Sequence, residues 1–192
     1  MELKKGVILA FSAPSGAGKT TIVRSILAEF PELLFSVSAT TRKKRHNEKN
    51  GVDYFFITED EFKNKIDHNE FVEWEKVYDY YYGTLKSYIN DNINNGKSVI
   101  LEIDVKGALE VKNIYPEAVL IFITPPSFDE LVKRLTNRQT EDEDDLKKRI
   151  ERAKMELSLK NKFDYVIENN ELDKAVSDAK SLIEKIIHKG ER

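Results

Sequence analysis

The stretch from residue 6 to residue 30 opens Gly6-Val7-Ile8-Leu9-Ala10-Phe11, continues Ser12-Ala13-Pro14-Ser15-Gly16-Ala17-Gly18-Lys19-Thr20, and closes Thr21-Ile22-Val23-Arg24-Ser25-Ile26-Leu27-Ala28-Glu29-Phe30. The first part is an unbroken apolar run of strand length, the pattern of a strand buried on both faces. The last part sets Ile22, Val23, Ile26, Leu27 and Phe30 at steps of three and four residues, with Pro31 just beyond, which predicts a helix over 20–30. Between them, residues 13–20 follow the pattern G-x-x-x-x-G-K-[ST] at every defined position except the first, where Ala13 replaces glycine. A strand, a small-residue loop and a helix bring backbone N–H groups and the positive end of a helix dipole to one point, which suits phosphate. Gly16 and Gly18 are free to take positive φ, Lys19 reaches for β- and γ-phosphates, and the Thr20 hydroxyl is placed to ligate Mg²⁺. A loop that merely joined strand to helix would leave Lys19 opposing the dipole with no anion to offset it. The motif therefore predicts a purine nucleoside triphosphate site, and by itself leaves GTPase, ATPase and small-molecule kinase open.

Outward from this unit, Ser98-Val-Ile-Leu-Glu-Ile103 and Ala118-Val-Leu-Ile-Phe-Ile123 are two more buried-strand candidates, separated by a helical stretch from Val105 to Tyr115. Alternating strands and helices predict an α/β fold with a mainly parallel sheet covered on both faces. Phe128, Leu131, Val132 and Leu135 space as one helix face, and Leu146, Ile150, Ala153 and Leu157 as another. Tyr165-Val-Ile167 reads as a last strand and 172–187 as an amphipathic helix packed on the sheet. Two segments break the alternation and read as insertions. Residues 36 to about 90 mix short alternating runs with turns such as Asn50-Gly51 and concentrate tyrosine (Tyr54, Tyr78, Tyr80, Tyr81, Tyr82, Tyr88); residues 136–145 are polar.

The 192 residues suit one domain rather than two, with 40% hydrophobic residues to fill a core. The absence of cysteine excludes disulfides, thiolate nucleophiles and Cys-ligated zinc. Apolar runs are strand-sized, below the roughly 18 residues of a bilayer span, so the chain reads as soluble and cytoplasmic with no membrane partner. A net charge of -3 gives no bulk positive field for nucleic acid, so any anion site is local. The charge is uneven: Arg42, Lys43, Lys44, Arg45 and Lys49 stand against Glu48, while Glu141, Asp142, Glu143, Asp144 and Asp145 run without a base, as at a solvated helix start. His46, His68 and His188 lack metal-ligand spacing, and Trp74 reads as a packing residue.

Ser36-Val-Ser38-Ala-Thr40-Thr41-Arg42-Lys43-Lys44-Arg45 puts hydroxyls before a basic cluster, and Gly51-Val-Asp-Tyr54-Phe-Phe56, Glu70-Phe-Val-Glu73-Trp74 and Tyr81-Tyr82-Gly83-Thr84 follow. With Leu101-Glu102-Ile103-Asp104-Val-Lys-Gly107 and the phosphate loop, the chain resembles guanylate kinase from about residue 6 to about 187. The resemblance implies a three-layer phosphate-loop kinase core (about 1–36, 90–125 and 149–192), a mixed α+β GMP-binding region at about 37–89, and a helical lid at about 126–148. It implies ATP + GMP giving ADP + GDP with Mg²⁺, within purine nucleotide metabolism and GMP recycling. The ATP site would comprise Ala13, Pro14, Ser15, Gly16, Ala17, Gly18, Lys19, Thr20 and Thr21, with Asn169 near the adenine; taken alone, Asn169 is a turn residue.

For GMP, the resemblance assigns the phosphate to Arg42, Arg45, Tyr54 and Tyr82, and the chemistry agrees: arginine offers a planar fork of donors and tyrosine a neutral donor on a rigid stem. Lys43 and Lys44 read as solvated. Glu73, Ser38 and Thr84 match the guanine readers: a carboxylate accepts from guanine N1–H and its 2-amino group, and a hydroxyl donates to O6. Adenine has no N–H at that edge, so the wrong base leaves polar groups unpaired. Glu102 and Asp104 end a strand where a carboxylate reaches Mg²⁺ through water or contacts the acceptor, and Gly107 matches as well; the family more familiarly carries aspartate at position 102. Lys19, Arg42, Arg134, Arg138 and Arg149 are the candidates for charge stabilisation on the transferred phosphoryl group, the last three otherwise serving as exposed charges of amphipathic helices. Two other classes remain: a scaffold module of guanylate-kinase-like fold without catalysis, against which Lys19 and Thr20 stand, and a GTPase or a kinase for another monophosphate.

Overall fold

The computed structural model describes residues 5–77, 79–137 and 143–188. Lys4, Tyr78, Arg138, Glu141 and Asp142 lie outside these. Strand β1 (Ile8–Ser12) is buried at every position, as its apolar run requires. It is the central strand of a five-stranded sheet with β7 (Val99–Glu102) and β8 (Val119–Thr124) on either side, β2 (Leu34–Phe35) at one edge and β9 (Tyr165–Glu168) at the other. Every pairing in this sheet is parallel.

Alternation along β1 divides the core into two layers. Leu9 and Phe11 face helices α1 (Lys19–Glu29) and α7 (Leu172–His188), through Ile22, Val23, Ile26, Ala175, Ala179 and Ile183. Ile8 and Ala10 face α3 (Lys86–Asn94) and α4 (Val105–Ile114), through Ile89, Val105, Ala108 and Val111. The three-layer α/β/α core is thus as the sequence pattern predicts, with α1 starting one residue earlier, at Lys19. The edge strand β2 was not predicted; two residues carry no readable period.

Residues 36–90 supply a second sheet rather than an extension of the first. It has the order β4 (Phe55–Phe56), β3 (Ala39–Thr40), β6 (Tyr80–Leu85), β5 (Phe71–Val77), with one parallel pairing, β3 with β4, and antiparallel pairing elsewhere. Helix α2 (Glu59–Asp67) packs on it through Phe62, whose ring stacks on Phe71 at 4.3 Å. Thr58 and Glu61 form a reciprocal capping box at the start of α2, which halts fraying of a short helix. Helices α5 (Phe128–Thr136) and α6 (Glu143–Ser158) pack against each other through Leu131, Leu135 and Ala153. Helix α6 begins at Glu143, inside the acidic run.

Candidate active site

The carboxyl ends of parallel strands are where ligands bind in such sheets. Here the phosphate loop leaves β1, Glu102 ends β7 with Asp104 two residues beyond, and Asn169 follows β9. These ends open into a cavity of about 660 Å³ whose opposite wall is the second sheet, with Ser38, Tyr54, Glu73, Glu75 and Tyr82 lining it.

The loop has the conformation its glycines permit: φ is 88° at Gly16 and 91° at Gly18. Gly18 is the N-cap of α1 and carries no side chain, so no side-chain cap occupies the N–H groups of the first helical turn. Their geometry suits an anion. Ala13, Pro14, Ser15 and Thr21 line the same cavity, and Ala17 is buried behind it, its N–H donating to the Pro14 carbonyl at 3.1 Å. Lys19 donates through Nζ to the Ile103 carbonyl at 2.8 Å. Burial pushes its pKa down, opposed by the carboxylates of Glu102, Asp104, Glu156 and Glu73. The Thr20 hydroxyl donates to Glu102, so a hydroxyl and a carboxylate oxygen sit together beside the loop.

Asn169 is more than a turn residue. It is 5% exposed, donates through Nδ2 to the Ala17 carbonyl at 2.7 Å, and its own N–H donates to Thr124 at 2.7 Å. Arg134 donates to the Asn169 carbonyl at 3.3 Å and to Glu130 at 3.0 Å. Arg149 lines the cavity from α6, and Arg138 lies outside the described residues.

On the acceptor wall, Glu73 accepts from the Thr84 hydroxyl at 2.5 Å. Burial raises the Glu73 carboxyl to about 7, against that hydrogen bond and helped by the charge of Asp104. Thr84 is fully buried and its hydroxyl is committed to Glu73, while Ser38 lines the cavity. Asp104 caps α4 by accepting from the Gly107 N–H at 2.7 Å. A Cβ at 107 would lie 2.9 Å from both Asp104 Oδ1 and Glu73 Oε2, so the glycine is what lets two carboxylates converge there.

Arg42 stands with its guanidinium carbon 5.4 Å from the Tyr54 ring and 5.7 Å from Phe56, and the Tyr54 and Tyr82 rings meet edge to face at 6.0 Å. The arginine makes a two-toothed pair with Glu48, at 2.7 and 3.0 Å. Glu48 also accepts from the Arg45 N–H at 2.8 Å, and Arg42 with that N–H holds its carboxyl below the usual range. Arg45, Lys43 and Lys44 are exposed.

Sequence reasoning missed Glu48 and Arg152. Glu48 registered only as one charge in a basic run. Arg152 on α6 donates to Glu75 and Asp104, each at 3.0 Å, and to Glu156 at 3.0 Å. Trp74 is a correction: it is 46% exposed, not a packing residue. Neighbours on a strand face opposite ways, and Glu73 takes the cavity side, leaving the indole outside near Tyr81.

The guanylate kinase family model matches residues 4–186. The chain is 46% identical to a guanylate kinase of Thermotoga maritima, over 93% of this chain and 86% of that one. It is 50% identical to a guanylate kinase of Mycoplasma genitalium, over 93% and 75%. A crystal structure of guanylate kinase from Anaplasma phagocytophilum superposes with a TM-score of 0.74 at 30% identity, covering 94% of this chain and 86% of that one. A phosphate loop facing a carboxylate-lined second sheet, matched over nearly the whole length, places this chain in the guanylate kinase family.

Proposed function

We propose that the protein transfers the γ-phosphoryl group of ATP to GMP, giving ADP and GDP. The observation that carries this is one cavity with Lys19 and the phosphate loop on one wall and, on the other, Glu73 held by the buried Thr84 hydroxyl. A phosphate oxygen of GMP attacks the γ-phosphorus while its bond to the β,γ-bridging oxygen breaks, and the electron pair leaves with ADP. That oxygen is already a nucleophile, so the protein's task is alignment and charge stabilisation.

In this reading Gly16, Gly18 and Lys19 hold the β- and γ-phosphates. Asn169 braces the loop from below at Ala17, while Arg134 and Arg149 supply positive charge on the donor side. The hard oxygens of Thr20 and Glu102 fit Mg²⁺, and these two residues would hold it beside the loop. When bound there, Mg²⁺ supplies charge neutralisation to the phosphate oxygens. Arg42, Arg45, Tyr54 and Tyr82 hold the GMP phosphate, with Glu48 keeping the Arg42 fork extended between two rings. Glu73 accepts from guanine N1–H and the 2-amino group, and Ser38 donates to O6. The second sheet, with α5 and the start of α6, closes over the substrates and excludes water, which otherwise competes as acceptor.

The test is ADP release in a coupled assay with GMP, AMP, UMP and dTMP offered in turn. GMP is expected to lead in kcat/KM by on the order of 10²-fold or more, as for a site whose polar groups must be paired. AMP outperforming GMP, or no stimulation by any monophosphate, overturns the reading.

A further inference from the structure

One side chain joins three parts of the molecule, and nothing in the assignments above uses it. Arg152 stands on α6, one turn beyond Arg149, and its Nη2 donates to Glu75 Oε2 on β5 and to Asp104 Oδ2 after β7, each at 3.0 Å. Its Nε donates to Glu156 Oε1, also at 3.0 Å. Glu75 belongs to the second sheet, Asp104 to the core sheet, and Arg152 to the helix that follows the 126–148 region. A single guanidinium therefore spans the crevice from the acceptor wall to the donor wall.

The charges around it explain why a cation is needed there. Glu75 on the second sheet and Asp104 on the core side approach one another across the crevice, and Glu73, Glu102 and Glu156 line the same cavity. Lys19 donates to the Ile103 carbonyl, while Arg149, Lys148 and Lys76 also line the cavity. Like charges across a closing gap push its walls apart. A planar fork with several donors holds three carboxylates in fixed relative positions, which a lysine, with one ammonium, does less well.

Asp104 has its other oxygen on the Gly107 N–H, and Gly107 is the position where Glu73 also converges. The orientation of Asp104 thus bears directly on the carboxylates facing the acceptor. We propose that Arg152 is a positioning residue for the acceptor site, tying β5 and α6 to Asp104 so that the second sheet presents Glu73 at its working distance from the phosphate loop. This rests on the acceptor reading given above and adds the residue that sets the geometry of that site.

The experiment compares wild type, Arg152→Gln, Arg152→Lys, Glu75→Gln and the Arg152→Gln/Glu75→Gln double variant, with separate KM values for GMP and ATP and a thermal melt of each. A positioning residue of the acceptor wall gives Arg152→Gln a GMP KM raised by about ten-fold, an ATP KM within about two-fold of wild type, and partial rescue by lysine. The bridge also requires non-additivity: Arg152→Gln costs less in the Glu75→Gln background than alone. An unchanged or lowered GMP KM in a folded Arg152→Gln protein overturns the inference, as does a fall in kcat with both KM values unchanged, or strict additivity with Glu75→Gln. A variant that fails to melt cooperatively shifts the decision to Arg152→Lys and to the Glu75→Gln comparison, where a GMP KM equal to wild type in both counts against it. Wild type that leaves GMP unphosphorylated removes the acceptor reading and this inference together; normal wild-type turnover with an indifferent Arg152 removes only the inference.

Discussion

Glu73 is held between two opposed demands. In the proposed role of guanine reader it has to be a carboxylate, yet burial raises it to about 7 from an ordinary 4.5. The sign follows: between those two values the folded protein binds more protons at Glu73 than the unfolded chain, so stability falls as pH rises through that window. Glu73→Gln is therefore expected to be more stable than wild type at pH 8 by roughly 1–3 kcal/mol, and to lose most of that advantage by pH 5, read from urea melts at both. GMP affinity in wild type rises over the same interval because its N–H donors need the ionised form, while the glutamine variant loses GMP preference by about ten-fold or more. A variant with wild-type GMP KM and kcat removes Glu73 from the site. Lys19 gives a second test. Burial disfavours its ammonium and the carboxylates of Glu102, Asp104, Glu156 and Glu73 favour it, while Nζ is held on the Ile103 carbonyl beside the phosphate loop. Lys19→Ala is expected to cut kcat by on the order of 10²–10³-fold or more with an unchanged far-ultraviolet circular dichroism spectrum, and normal kcat would end its phosphate role.

Elements carry the next level of constraint, and the loop with α1 shows it best. Gly18 sits at φ 91°, and a Cβ there would meet Asn169 Nδ2 at 2.3 Å. That nitrogen is fixed on Ala17, so Gly18→Ala strains the backbone and unseats the brace together. The expected result is a loss of about 1–3 kcal/mol of stability and an ATP KM raised more than the GMP KM, seen by thermal melt and steady-state kinetics; an unshifted melt and ATP KM would show that Asn169 does not brace the loop. This element was legible because a buried strand, two glycines and Lys19 are contiguous. So were β7, β8 and α7, whose apolar periods run long enough to read. The second sheet was legible only as an interruption, since β3 and β4 are two residues each and their partners lie far along the chain. Helix α2 did carry a signal, Thr58-x-x-Glu61, that could have been read as a capping box. Arg152 carried none: Glu75 is 77 residues away and Asp104 48, and no local period encodes such a pairing.

At the scale of the whole molecule, the net charge of -3 averages over a crevice that gathers charges of both signs. The chain crosses from core to second sheet twice. Ser36 still bonds to Ile100 of the core sheet while Ala39 is in the second, and Leu85 belongs to the second sheet while Ile89 is buried in the core. Two short crossings join the second sheet to the core, with Val72 of β5 in the core cluster beside α4. In the proposed reaction, ligands on both walls would favour a closed arrangement only through differential contacts. ATP alone leaves the acceptor wall unfilled, so closure and water exclusion should need both nucleotides. ATP hydrolysis without GMP is then expected at on the order of 1% of the kinase rate or less. A bisubstrate analogue linking adenosine and guanosine through phosphates should slow amide exchange in β5, β6 and α6 together, whereas ATP alone protects the loop and α1. Exchange in β5 and β6 that responds to ATP alone, or ATP hydrolysis as fast as transfer to GMP, would show that the walls close without the acceptor and that its binding does not gate the reaction.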